Sequence, residues 1–210
     1  MKKGIIFDLD GTLWDSSTQV VPAWNIVLKR HKEIDCQITI SDMQGFMGKQ
    51  IDQIAKIIFP WMELEKSLSI LKECCNEELV YLRKYGGILY PKLENTLTKL
   101  KNKYNLYIVS NCQDGYIESF LDYHKMHKYF DDIECSGRTG KSKGENIRLI
   151  IERNNLGKSV YIGDTQGDLD AANMENIPFV FAEYGFGNIN CERPSIKSIS
   201  ELADIIESIY

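Results

Sequence analysis

A short apolar run that ends in two carboxylates is the feature that most constrains the fold of this chain. Residues 5–13 read IIFDLDGTL. A continuous apolar run of this length is typical of a strand buried on both faces of a parallel sheet. Because side chains alternate along a strand, Asp8 and Asp10 are expected on one side, and Gly11 allows the chain to turn sharply after them. Two neighbouring carboxylates repel each other, so their burial requires a compensating cation.

The length and composition indicate a soluble globular protein with a sizeable core. Of the 210 residues, 43% are hydrophobic and 26% are charged, which are ordinary values for such proteins. The length favours one large domain or a core domain with a smaller insertion. The net charge is -5 and the basic residues are spread along the chain, which disfavours a nucleic-acid partner but leaves room for a small phosphorylated ligand.

We expect no membrane partner and no secretion. The apolar stretch near the start is interrupted at Asp8, which disfavours a signal peptide, and no apolar run approaches the roughly 18 residues that span a membrane. The cysteines show no Cys-x-x-Cys spacing, and reduced thiols in the cytosol are the simplest explanation. We therefore expect a cytoplasmic protein, and we expect it to be a monomer or a weak homodimer. The cysteines are Cys36, Cys74, Cys75, Cys112, Cys135 and Cys191.

The chain divides into a helical stretch and a stretch in which strands and helices alternate. Between residues 17 and 85 the pattern predicts helices and no clear strand of a parallel sheet, which indicates an inserted helical subdomain. Beyond Ile88 the alternation predicts βαβ units and a parallel sheet. The predicted helices cover 20–30, 51–59, 60–84, 92–103, 115–123, 145–155, 169–174 and 199–209, and the predicted strands cover 106–111, 132–135, 160–164 and 178–181.

Polar side chains recur where the predicted strands end, which is where ligands bind in open parallel sheets. They are Asp8 with Asp10, Ser110 with Asn111, Lys143, and Asp164 with Asp168. The aspartate pairs taken alone also fit turns, and Ser110 with Asn111 fits an ordinary transition from strand to turn. Lys141 competes with Lys143, because both lie in one polar loop before a helix.

In this order the residues resemble the motifs of the haloacid dehalogenase superfamily of aspartate-dependent phosphohydrolases. The motifs are DLDGT at 8–12, VSN at 109–111, Lys143, and GDTQGD at 163–168. The segments KGENI at 143–147 and YGFG at 184–187 are most similar to the phosphoglycolate phosphatase-like branch, whose helical cap is inserted just after the first motif. The KGENI match favours Lys143 over Lys141.

The resemblance implies an α/β fold with a Rossmann-like parallel sheet. The core would comprise residues 1–16 and 86–210, and the inserted helical cap would comprise residues 17–85. The first strand would be central, with the strand that ends at Ser110 on one side and the strand that precedes Asp164 on the other.

The chemistry of this family explains the types of residue. A carboxylate can attack phosphorus and form an aspartyl-phosphate, which divides hydrolysis into two steps, and Asp8 is the expected nucleophile. Asp10 would protonate the leaving oxygen and then activate water, a role that requires a pKa near the working pH. Ser110, with Asn111 and nearby backbone amides, would hold the phosphate oxygens, while Lys143 supplies positive charge to the transition state.

The expected cofactor is Mg²⁺, which prefers oxygen ligands and keeps several of its waters. We assign to it the carboxylates of Asp8 and Asp164 and the backbone carbonyl of Asp10. The resemblance gives Asp168 the role of orienting metal-bound waters or of ligating from further out.

We expect Mg²⁺-dependent hydrolysis of small phosphate monoesters. A sugar phosphate mutase similar to β-phosphoglucomutase is the alternative among enzymes, and a non-enzymatic regulator phosphorylated on Asp8 is the alternative from another class. Gly45 and Gly48 interrupt the helical pattern of the cap, so a turn at 46–50 is expected over the site, with Lys49 in substrate binding. Lys49 is also a conceivable Schiff-base lysine of a phosphonatase.

Overall fold

The fold is organised around a six-stranded parallel sheet. The computed structural model describes residues 2–189 and 192–210, so Cys191 lies outside the described residues. The strands are β1 (Lys2–Phe7), β4 (Asn105–Ser110), β5 (Asp132–Cys135), β6 (Leu156–Gly163), β7 (Phe179–Ala182) and β8 (Ser195–Ile196), and the short strands β2 (Trp14–Asp15) and β3 (Ile88–Leu89) form a separate pair. The order in the large sheet is β5-β4-β1-β6-β7-β8, and the predicted α/β fold is confirmed.

Strand β1 lies at the centre of the sheet, as expected. Phe7 pairs in parallel with Ile108 of β4 on one side and with Ile162 of β6 on the other. Because the three strands run in the same direction, their carboxyl ends meet at one edge of the sheet. The polar residues that follow β1, β4 and β6 are therefore brought together.

Helices cover both faces of the sheet. They are α1 (Ser17–Leu28), α2 (Ile40–Phe46), α3 (Ile51–Ile58), α4 (Leu64–Tyr85), α5 (Leu93–Lys101), α6 (Tyr116–His124), α7 (Ser136–Thr139), α8 (Lys143–Arg153), α9 (Gln166–Met174) and α10 (Leu202–Ile209). Ile5 and Phe7 of β1 pack in one apolar cluster with residues of α5, α6 and α10. Ile6 points to the other face and packs with residues of α8 and α9, which is the alternation expected of a strand.

Helices α1 to α4 lie between β2 and β3, which pair in antiparallel fashion where the chain leaves the sheet and returns to it. Helix α1 packs along α4, and α3 also packs on α4. We propose that residues 17–85 are the cap and that residues 1–16 and 86–210 are the core. No helix of the described residues is long and apolar enough to cross a membrane.

Several predicted boundaries were wrong for local reasons. Helix α4 begins at Leu64 and not at Pro60, because the chain turns before Glu63. Helix α8 begins at Lys143 and not at Glu145, because Ser142 and Glu145 form a capping box at its start. The strands β2, β3 and β8 were not predicted, since two residues carry no recognisable alternation.

The glycine that shapes the turn after α2 is Gly48, whereas Gly45 lies within the helix. Gly48 has a φ of 78°, and a Cβ added there would lie 3.1 Å from the methyl carbon of Thr165. A Cβ added to Gly45 meets no atom within 4 Å. The prediction that both glycines interrupt the helix is therefore wrong for Gly45.

We predict opposite effects of alanine at these two glycines. Gly45→Ala should raise the free energy of unfolding by up to about 1 kcal/mol, because alanine favours a helix over glycine. Gly48→Ala should lower it by roughly 1–2 kcal/mol, because an L-residue is strained at this φ. Urea unfolding followed by circular dichroism measures both values, and equal changes in the two variants would contradict the assignment of the turn to Gly48.

Candidate active site

The centre of the site is an ion-pair network that joins the end of β1 to the starts of α8 and α9. Asp8 directly follows β1, and its backbone N–H donates to Ile162 at 2.8 Å. Lys143 is the first residue of α8, and its Nζ lies 2.9 Å from Oδ1 of Asp8 and 2.5 Å from Oδ1 of Asp168. Burial alone would lower the pKa of Lys143, but the charges of Asp168 and Asp8 raise it. Lys143 is therefore a fixed ammonium ion, whereas Lys141 is exposed.

Two further carboxylates are held in place by backbone amides. Asp164 follows β6, and its Oδ2 accepts hydrogen bonds from the N–H groups of Phe186 at 2.7 Å and Gly187 at 3.3 Å. Asp168 lies in the first turn of α9, in a capping box with Thr165. Its Oδ2 accepts from the N–H groups of Asp164 at 3.1 Å and Thr165 at 2.9 Å.

The loop that contains YGFG packs closely around Asp164. A Cβ added to Gly185 would lie 2.3 Å from Cβ of Asp164, and one added to Gly187 would lie 2.0 Å from the Asp164 carbonyl oxygen. On the opposite side, a Cβ added to Gly11 would lie 2.2 Å from Oδ2 of Asp164. Glycine at these positions lets the backbone approach the carboxylate, so the loop fixes its orientation.

The carboxylates of Asp8, Asp164 and Asp168 form a cluster that fits a divalent cation. One oxygen from each lies within 4.8 Å of the others, and all three residues are buried. Burial, together with the charge of Asp168, raises the pKa of Asp8, and the same two causes raise that of Asp164 to about 7. Lys143 balances one of the three negative charges. The remaining negative charge and the all-oxygen donors suit a hard divalent cation.

Asp10 has a different environment from Asp8. Its Oδ1 accepts hydrogen bonds from Trp14 Nε1 at 3.0 Å, Ser16 Oγ at 2.7 Å and the Tyr116 hydroxyl at 2.9 Å. Burial raises the pKa of Asp10 to about 6, although these hydrogen bonds lower it. Asp10 can therefore gain and lose a proton near neutral pH. Sequence reasoning missed all three partners, and Tyr116 lies too far along the chain for any local pattern to indicate it.

Ser110 and Asn111 follow β4 at the same edge of the sheet. Ser110 is buried and lines the cavity described below. The amide nitrogen of Asn111 donates to the Gly48 carbonyl at 2.9 Å, and its amide oxygen accepts from Ser136 Oγ at 2.9 Å. Asn111 thus connects the turn after α2 to the core. Lys49, next to Gly48, is exposed and lines the cavity.

A cavity of about 520 Å³ opens between the sheet edge and helices α1 to α4. Asp8, Asp10, Ser110, Asn111 and Lys49 line it. Asp164, Asp168 and Lys143 are buried, and Lys143 connects Asp168 to Asp8. The structure therefore brings the eight residues named as site candidates into one continuous region. In this arrangement the Asp8 carboxylate contacts the ammonium group of Lys143. The Asp10 carboxylate has hydrogen-bond donors of its own.

The comparisons with known proteins agree on one family of hydrolases. The model of the haloacid dehalogenase-like hydrolase family matches residues 5–182. A phosphoglycolate phosphatase from Aquifex aeolicus is 25% identical over 97% of this chain and 94% of its own length. A predicted phosphatase from Clostridium acetobutylicum has a similar structure, with a TM-score of 0.83, 24% identity and 99% coverage of both chains. A predicted phosphoglycolate phosphatase from Haemophilus somnus has a TM-score of 0.83, 21% identity and 98% coverage of both chains.

The chain belongs to the haloacid dehalogenase-like hydrolase family. The predicted resemblance to its phosphoglycolate phosphatase-like branch and the prediction of a phosphatase enzyme are confirmed. The two solved structures are less than 25% identical to this chain and support the fold.

We predict that the YGFG loop controls metal affinity through Asp164. Gly187→Ala should weaken Mg²⁺ binding by on the order of tenfold, because residues that orient a ligand have effects of this size. Gly167→Ala is the matched control, since a Cβ there lies 3.6 Å from Thr165 Oγ1, an ordinary contact. Calorimetric titration with Mg²⁺ measures both affinities. Equal affinity in the two variants would show that the loop does not position Asp164 for a metal.

Proposed function

We propose that this protein is a Mg²⁺-dependent phosphatase that hydrolyses small phosphate monoesters through an aspartyl-phosphate on Asp8. The observation that carries the proposal is that two carboxylates with different environments, Asp8 and Asp10, line the same cavity. Asp8 contacts Lys143 and belongs to the carboxylate cluster. Asp10 has a pKa of about 6, which suits proton transfer near neutral pH.

The site offers carboxylate and carbonyl oxygens, which are the ligands that Mg²⁺ prefers. The carboxylates of Asp8 and Asp164 and the backbone carbonyl of Asp10 would hold Mg²⁺, and Asp168 would orient its waters. The ion supplies positive charge against the phosphate and the neighbouring carboxylates. Lys143 contributes a second positive charge that is already fixed in place by Asp8 and Asp168.

The first step transfers the phosphoryl group to the protein. An oxygen of Asp8 forms a bond to phosphorus while the bond from phosphorus to the leaving oxygen breaks. Protonated Asp10 donates its proton to that oxygen, so the leaving group departs as a neutral alcohol. Ser110 hydrogen-bonds a phosphate oxygen, and Lys143 stabilises the charge on the phosphoryl group.

The second step releases phosphate. Ionised Asp10 removes a proton from water, and the water oxygen attacks phosphorus as the bond to Asp8 breaks. Inorganic phosphate leaves, Asp8 is again a carboxylate, and Asp10 is protonated for the next cycle. Tyr116, Ser16 and Trp14 hold Asp10 in the orientation that both steps require.

Helices α1 to α4 would act as the cap that selects the substrate. Lys49 lies at the exposed side of the cavity and would attract a phosphorylated metabolite, while Asn111 holds the neighbouring turn through Gly48. The names of the relatives support a small phosphate ester as substrate. The free cysteines of the described residues support a reducing, cytoplasmic setting.

The test of this function is phosphate release from a panel of small phosphate esters with and without Mg²⁺. We predict activity that requires Mg²⁺, and a loss of about a thousandfold or more in Asp8→Asn, which removes the nucleophile. Asp170→Asn is the control, because Asp170 is exposed on α9. Acid quenching should trap phosphate on the wild type and not on Asp8→Asn. Full activity in Asp8→Asn would refute the proposal.

The trapped phosphoprotein also separates the alternatives. Transfer of its phosphate to a second sugar hydroxyl in preference to water would identify a mutase. A phosphoprotein lifetime of minutes or longer would identify a regulator, because Asp10 would then fail to activate water.

The pH dependence provides a test of the role of Asp10. The hydrogen bond from Tyr116 lowers the pKa of Asp10, so Tyr116→Phe should raise this pKa above its value of about 6. The first step requires protonated Asp10, and the falling limb of kcat/KM should therefore move to higher pH. The control is Tyr81→Phe, since Tyr81 packs against Tyr85 on α4. If the falling limb of the kcat/KM profile stays at the same pH in Tyr116→Phe, the assignment of Asp10 as the acid is contradicted.

A further inference from the structure

The cavity extends well beyond the carboxylates that carry the proposed chemistry. Its volume of about 520 Å³ corresponds to many water-sized groups, since one water occupies about 30 Å³ of liquid. Apolar side chains of all four cap helices line it: Trp24, Met43, Phe46, Ile54 and Leu68. A phosphate that carries only a two-carbon acid would leave most of this apolar surface without contacts. The leaving-group side of the cavity therefore fits a larger, partly apolar group.

Two acidic side chains of the cap helices line the cavity, and only Glu78 of α4 is buried, whereas Asp52 of α3 pairs with Lys56. Glu78 is 4% exposed, and the mechanism derived above does not use it. Its Oε1 accepts from Gln113 Nε2 at 2.7 Å, and its Oε2 accepts from the indole Nε1 of Trp24. An indole N–H can only donate, so Oε2 of Glu78 acts as an acceptor, and Glu78 is among the residues that line the cavity.

The charge of Glu78 is poorly compensated. Burial raises its pKa to about 7, the hydrogen bonds from Gln113 and Trp24 lower it, and the charge of Asp10 raises it. No positive charge of the described residues contributes to this balance. A carboxylate accepts up to about four hydrogen bonds, so Glu78 retains capacity for a further donor. A ligand that brings a hydroxyl or amino group can supply it, whereas a ligand carboxylate would meet a like charge.

Three lysines line the cavity, Lys49, Lys72 and Lys141, and none of their charges contributes to the pKa of Glu78. Lys72 precedes Glu78 by six positions on α4, which is about 9 Å along the axis at about 1.5 Å per residue. All three lysines are exposed to solvent. A carboxylate attached two atoms from the reacting phosphate would lie near Asp10, and Asp10 lies close enough to Glu78 to influence its pKa.

We propose that Glu78 is a specificity-determining residue that selects leaving groups with a hydrogen-bond donor on a partly apolar body and rejects leaving groups that carry a carboxylate. This inference rests on the proposed phosphatase function and names its substrate class. It predicts a substrate preference different from that indicated by the names of the phosphoglycolate phosphatase relatives.

The test uses two esters of similar size. One is 4-(hydroxymethyl)phenyl phosphate, which carries a donor, and the other is 4-carboxyphenyl phosphate. At pH 8 with Mg²⁺, the wild type should hydrolyse the first with a kcat/KM about tenfold or more above that for the second, because like charges oppose binding. Glu78→Gln keeps the shape and the acceptor for Trp24 but removes the charge, and it should bring the ratio close to one.

Glu77→Gln is the matched control, with the same change on the same helix at a residue that pairs with Arg30 on the protein surface. It should keep the wild-type ratio. An unchanged ratio in Glu78→Gln, with both esters slowed alike, would assign Glu78 a structural role and overturn the inference. A wild type that hydrolyses the carboxylate ester equally well or better would overturn it without any variant.

The same experiment separates this inference from the proposed function. Phenyl phosphate, which carries neither group, serves as the reference ester. If none of the three esters is hydrolysed, and none of the wider panel, the phosphatase function fails. If phenyl phosphate is hydrolysed and Asp8→Asn is inactive, the function stands, and the ratio of the two substituted esters alone decides the role of Glu78.

Discussion

The contact of Lys143 with Asp8 and Asp168 is the interaction on which the rest of the site depends. It joins the central strand to two helices that begin after separate strands, with distances of 2.9 Å and 2.5 Å. All three side chains are buried, and a buried charge is costly unless it is paired. With Asp164 included, the cluster still carries an excess of negative charge. The fold thus creates an electrostatic requirement that a divalent cation would satisfy.

Local sequence explains how the fold holds this arrangement. The parallel strands end at one edge of the sheet, and a capping box begins each of the helices α8 and α9. The first box places Lys143 at the start of α8, and the second uses the carboxylate of Asp168 itself. Capping interactions are short in sequence, so they are visible as motifs. The positions of the catalytic candidates therefore follow from strand ends and helix starts.

The sheet, its central strand and the family could be predicted from the sequence, because apolar runs that end in Asp or Ser are local patterns. The environment of Asp10 could not, because Tyr116 reaches it from a distant helix. The same is true of Glu78, whose partner Gln113 follows β4. The prediction that Gly45 interrupts the helix was wrong, since sequence alone does not show which of two nearby glycines adopts a positive φ. Contacts across the cavity depend on tertiary packing.

The most direct test of this account compares the unfolding of the wild type and Asp164→Asn at pH 8 with and without Mg²⁺. The folded-state pKa of Asp164 is raised from 3.8 to about 7, so stability falls as the pH rises between these two values, and the full cost is present at pH 8. Without metal, Asp164→Asn should therefore be the more stable protein. Mg²⁺ at a hundredfold excess over its Kd should stabilise the wild type by about 2.7 kcal/mol and the variant far less. If Mg²⁺ leaves the wild type unchanged, or stabilises both proteins equally, the carboxylate cluster is not the metal site.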